Sequence, residues 1–78
     1  MARPRTRDER DLTPAEARIY WLIVERGLRD REIATETGYT LGSVKQAIAH
    51  VLEKIGVRSR VQLAVWHYTV VVGLKARR

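Results

Sequence analysis

Between Asp30 and Gly56 the chain sets two short amphipathic stretches around a compact break, Gly38-Tyr39-Thr40, and this segment restricts the fold more than any other. In the second stretch Val44, Ile48, Val51, Leu52 and Ile55 recur at helical steps, which build one continuous apolar stripe and exclude a strand. Gly38 and Gly56 supply the stops. Two helices joined by so short a glycine-bearing turn form a helix-turn-helix, an arrangement that can present its second helix to the major groove of DNA.

The flanks carry equally local signals. Thr13 as N-cap, Pro14 at the first helical position and Glu16 completing a capping box predict a first helix from Pro14 to about Arg26. Ile19, Leu22 and Ile23 face inward, and Gly27 ends the helix. Asp30 is placed to cap a two-turn second helix with Ile33, Ala34 and Thr37 on its buried side, and Thr40 to cap the third, over about 41–55. Ser59 with Gln62 reads as another capping box, opening a fourth helix over 59–72 that stops at Gly73. The fold class is therefore all-α, with four helices. The domain is expected over 12–73, preceded by a flexible basic arm (1–11) holding Arg3, Arg5 and Arg7 and followed by a basic tail (74–78).

Bulk properties limit the function. A chain of 78 residues holds one small core but no deep catalytic cleft with walls of its own. Its net charge of +6 makes a polyanion the natural partner, because cations that replace counterions on a phosphate backbone gain free energy from their release. The chain has no cysteine, so disulfides and thiolate metal sites are out. No apolar run approaches the roughly 18 residues of a membrane span, and MARPRTRDER lacks the apolar centre of a secretory signal, so a cytoplasmic protein without membrane contact is expected. His50 and His67 have no third ligand spaced around them. With no nucleophile beside a base and no phosphate loop, neither a cofactor nor an enzymatic activity is expected.

Once its stripe is assigned, the third helix leaves Gly42, Ser43, Lys45, Gln46, Ala49, His50 and Glu53 outward. The major groove is about 12 Å wide, so a helix entering it needs short residues near its start and a few long donors. Gly42, Ser43, Ala47 and Ala49 meet the first need, and Lys45 and Gln46 the second. Lysine can donate to guanine and glutamine can pair with adenine, each good contact discriminating by about 1–3 kcal/mol. The plainer alternative is that Lys45 and Gln46 are the solvated face of an amphipathic helix.

Four separated motifs resemble the LuxR-type (GerE-type) helix-turn-helix domain of bacterial transcription regulators, over roughly residues 12 to 68. Leu12-Thr13-Pro14 with Glu16 is similar to that family's LTPxE opening. Gly27 with Asp30, Glu32, Ile33 and Ala34 is similar to GxxNxEIA, Ser43-Val44-Lys45 to TVK, and Lys54 to Arg60 to KLGVxSR. The resemblance implies a four-helix domain whose third helix enters the major groove and whose fourth mediates dimerisation; unlike many relatives, this one is expected to stand alone, without a receiver or ligand-binding domain. The resemblance places Lys45, Gln46 and Ala49 at base-contacting positions, and Thr40, Ser43, His50 and Lys54 at phosphate-contacting ones. Ala47 and Ala49 depart from the polar residues frequent there. Specificity then shifts toward Lys45, Gln46, thymine-methyl contacts and DNA shape.

Basic residues beside this face have a separate reading. Arg29 and Arg31 flank the start of the second helix and Arg58 follows the third, where arginines near helix ends can hold phosphates. The stem of Arg60 is expected to pack on the core. Arg3, Arg5 and Arg7 could enter the minor groove, with a disordered tail as the alternative.

The fourth helix has more apolar surface than one core can cover. Leu63, Trp66 and Val70 form one face, and Val61, Ala64, Val65, Tyr68 and Val72 a second that suits a homodimer interface. Alternatively, the β-branched run Val70–Val72 leaves the helix as an extended segment. The expected function is sequence-specific binding of double-stranded DNA by a transcription regulator. The competing one is a protein-interaction module that docks on RNA polymerase or another regulator and binds DNA weakly.

Overall fold

The computed structural model describes residues 11–73, so the expected tail and, apart from Asp11, the expected arm lie outside the described residues. Four α-helices follow in order: α1 Pro14–Arg26, α2 Asp30–Thr37, α3 Leu41–Ile55 and α4 Arg60–Trp66, the last running on into a π-helical segment, His67–Val71. No strand occurs among the described residues.

The helix starts are local hydrogen-bond solutions. At α1 the Thr13 hydroxyl accepts from the Glu16 N–H at 3.2 Å and Glu16 Oε1 accepts from the Thr13 N–H at 3.0 Å, the reciprocal pair expected of the capping box. Thr40 caps α3 and Ser59 caps α4. Asp30 does not cap α2. Arg29 holds the N-cap position, its backbone N–H donating to Glu32 Oε1 at 2.7 Å, and Asp30 is the first helical residue. At α4 the Gln62 side chain reaches past Ser59 to accept from the Arg58 N–H at 2.7 Å, so the box there is displaced by one residue.

The turn between α2 and α3 depends on Gly38, which has φ +81° and donates its N–H to the Ala34 carbonyl. A Cβ there would meet no atom within 4 Å. The requirement is thus conformational rather than spatial, and a side chain would cost about 1–2 kcal/mol of left-handed strain.

One core joins all the helices. α1 contributes Ile19, Tyr20, Ile23 and Val24, α2 contributes Ile33, α3 contributes Val44, Ile48, Val51 and Ile55, and α4 contributes Leu63 and Trp66, with Val71 closing the end. Leu22, Ala34 and Thr37 are half-buried rather than core residues. α3 packs on both α1 and α2, and α4 lies against α1.

The fourth helix departs from regular spacing. Its α-helical turns end at Trp66, and the Val72 N–H then bonds the His67 carbonyl, a wider turn that takes up one extra residue. The inward positions become Leu63, Trp66, His67 and Val71, while Val70, which regular spacing assigns to the core, is 37% exposed. The run Val70–Val72 neither stays α-helical throughout nor becomes extended. It remains helical with its register shifted by one residue.

This shift gives a sharp expectation. Val71→Ala removes two buried methyl groups and should cost about 1–2 kcal/mol in urea unfolding, whereas Val70→Ala should change stability by under about 0.5 kcal/mol. The reverse order would mean that regular α-helical spacing persists in solution.

Candidate nucleic-acid interface

The outer face of α3 follows from its inner one. With Val44, Val51 and Ile55 fully buried and Ile48 nearly so, rotation of the helix is fixed, and Gly42, Ser43, Lys45, Gln46, Ala49, His50 and Glu53 are all exposed. Among the described residues neither Lys45 nor Gln46 is engaged in a hydrogen bond or ion pair, so both long donors are available. Ala47 is half-buried against the core, which removes it from the short residues expected on the open face.

At the start of α3 the Thr40 hydroxyl accepts from the Ser43 N–H at 3.1 Å and donates to Ser43 Oγ at 2.9 Å, so both side chains gather at the helix N-terminus. A shallow groove beside it is lined by Arg29, Asp30, Arg31, Glu32, Leu41, Lys45 and Arg60, bringing the α2 arginines next to Lys45. Arg29 and Arg31 are exposed, as is Arg58 beyond the end of α3. Arg60 is half-buried beside them. Its guanidinium pairs with Asp30 and donates to the Leu28 carbonyl, tying the start of α4 to the start of α2.

His50 and Lys54 share a partner that sequence reading assigned only to capping. Glu16 Oε1 accepts from Lys54 Nζ at 2.7 Å, and Glu16 Oε2 lies 3.7 Å from His50 Nδ1. Burial pushes the Glu16 carboxyl up. The Lys54 hydrogen bond, the Thr13 N–H and the charges of Lys54 and His50 together outweigh it and hold the group below its ordinary value of 4.5.

A second polar cluster runs from the core to the surface. The ring of His67 is fully buried, with Tyr20 Oη 2.5 Å from Nδ1 and Glu25 Oε2 3.3 Å from Nε2. The neutral tautomer with its proton on Nε2 satisfies both: the Tyr20 hydroxyl donates to Nδ1 and Nε2–H donates to Glu25. Trp21 and Tyr68 stand edge-on to this ring, and the Tyr68 hydroxyl donates to the Val24 carbonyl at 2.7 Å. His67 therefore serves packing of α4 on α1. No period or spacing in the sequence signals it, because its partners are more than 40 residues away.

Outside the core α4 presents Val61 at 73%, Val65 at 56% and Tyr68 at 50% exposure, with Val72 at its far end and Ala64 half-buried. No group of three or more His, Cys, Asp or Glu residues able to hold a metal occurs among the described residues. No helix among them is long and apolar enough to cross a membrane.

A small all-α domain with a short capped α2, a glycine turn and an α3 whose outer face combines small residues with two unengaged donors defines the helix-turn-helix class. Over 60 residues, 77% of its length, the chain is 42% identical to the nitrate/nitrite response regulator protein NarL of Escherichia coli (strain K12), and equally to the protein of that name in Escherichia coli O6:H1. The chain spans 27% of the length of these relatives, a stretch corresponding to the C-terminal LuxR-type helix-turn-helix domain of NarL. The match is one of homology to that LuxR-type helix-turn-helix domain. No protein-family profile matches it, and no solved structure does.

The lowered Glu16 carboxyl has a consequence for stability. Its folded value lies below its unfolded one, so its contribution is fully present above about pH 4.5 and is lost as pH falls through the lowered value. Urea unfolding of Glu16→Gln, which keeps a capping acceptor, should show a shallower acid loss than the parent. Equal pH profiles would remove Glu16 from the acid response.

Proposed function

We propose that this chain is a sequence-specific double-stranded DNA-binding domain of a transcription regulator. The observation that carries the proposal is the open face of α3, where Lys45 and Gln46 extend unengaged beside Gly42 and Ala49 on a helix fixed by its buried stripe. Homology to part of a response regulator supports the same reading. In this proposal α3 enters the major groove, Lys45, Gln46 and Ala49 meet base edges, and Thr40, Ser43, His50, Lys54, Arg29, Arg31 and Arg58 hold phosphates. With two polar side chains at the reading positions, part of the selectivity falls to thymine-methyl contact by Ala49 and to DNA shape.

Val61, Ala64, Val65, Tyr68 and Val72 form the proposed homodimer interface. Their exposure on one side of α4 supports it, since apolar area left in water is recovered by association. A two-fold pair would set two α3 helices about one DNA turn apart on a pseudo-palindromic site. The same exposed face favours a second reading, in which α4 docks on RNA polymerase or another regulator and DNA binding is weak.

Selection from a random duplex pool, followed by anisotropy titration, tests the first reading. Enrichment of one motif with strongly salt-dependent affinity is expected, and no enrichment, or affinity indifferent to salt, would sink it. Lys45→Ala should cost about 1–3 kcal/mol on the preferred site and relax its base preference. Arg58→Ala should weaken all duplexes alike and reduce the salt slope by about one.

Val65→Glu places a charge in the proposed dimer face. Sedimentation should show a monomer whose affinity for the two-half-site duplex is reduced at least tenfold. A Val65→Glu protein that still bound DNA as a dimer but lost activity in cells would favour the docking reading.

A further inference from the structure

A carboxylate from another helix packs against two of the proposed phosphate-contacting side chains of α3. Glu16 belongs to the first turn of α1, yet its two oxygens face Lys54 and His50, which stand one helical turn apart on α3 on the side adjoining Gln46 and Ala49. Lys54 keeps 38% of its side chain exposed and His50 keeps 51%, so both side chains also face solvent. Glu16 itself is about nine-tenths enclosed and is held by the Thr13 N–H, so it cannot swing away from the pair.

We propose that Glu16 is an internal counter-charge that occupies, in the unbound protein, the electrostatic place of a DNA phosphate beside Lys54 and His50, and so sets the sequence-independent part of DNA affinity. This rests on the DNA-binding reading above. A phosphate approaching Lys54 finds a charge already neutralised at 2.7 Å, so fewer condensed ions are released than the count of surface cations implies. Non-specific binding is weakened, while the bases read by Lys45 and Gln46 are unaffected. The ratio of specific to non-specific affinity thereby rises without any added base contact. The lowered Glu16 carboxyl agrees with this role, since it keeps the counter-charge ionised throughout the neutral range.

The test is anisotropy titration of random-sequence duplex at several KCl concentrations for the parent, Glu16→Gln, Lys54→Gln and the double variant. Glu36→Gln serves as the control of equal net-charge change, because Glu36 pairs with Arg26 and does not face α3's cations. Glu16→Gln retains the capping acceptor, and its circular dichroism and melting monitor the fold. It should bind random duplex several-fold more tightly, with the slope of log affinity against log salt steeper by up to about one. That gain should vanish in the Lys54→Gln background and be absent in Glu36→Gln. A folded Glu16→Gln protein with unchanged slope, with weaker binding, or with a gain that Glu36→Gln reproduces would overturn the proposal and leave Glu16 as a helix cap. Salt-independent or undetectable binding by the parent would instead overturn the DNA-binding reading on which it rests.

Discussion

Burial of Val44, Ile48, Val51 and Ile55 between α3 and the pair α1 and α2 is the constraint on which the rest depends. A helix with one stripe in the core has no rotational freedom left, so the direction of every outward side chain is set by residues that never meet solvent. Lys45, Gln46 and Ala49 make no contribution to that anchoring. Fold stability and the chemistry of the outer face are therefore largely separate properties, which leaves the outer positions open to exchange at small cost to the domain.

How legible the fold was follows from the range of the forces involved. The Thr13–Glu16 box, the caps at Thr40 and Ser59 and the glycine stops are interactions within four residues, and each stands in the sequence as a fixed spacing. Asp30 departs from the expected cap for a non-local reason. It has the chemistry of an N-cap, but its carboxylate is taken by Arg60, and the helix start is completed from Arg29 and Glu32 instead. The outward face of α3 was readable because helical periodicity fixes it, except that Ala47 sits at the edge of the stripe, where period alone does not separate core from surface.

The end of α4 was illegible for a different reason. Projection at a constant angle assumes one helical geometry, and the π-helical segment breaks that assumption after Trp66, so Val71 rather than Val70 turns inward. Glu16 shows the same limit at the candidate site. Its capping role was visible, whereas its grip on Lys54 and His50 spans two helices that only the fold brings together.

The hydrogen-bonded chain from buried Tyr20 through buried His67 to exposed Glu25 has a further effect. Apolar packing tolerates small slides and rotations of one helix on another, because dispersion contacts are many and weak. A hydrogen-bonded ring tolerates far less, since moving it by one residue would break its bonds to both Tyr20 and Glu25. α4 is thus keyed to α1 in a single axial position. Whatever meets its exposed valines meets them at one fixed bearing relative to α3, much as a keyway holds a gear in phase with its shaft.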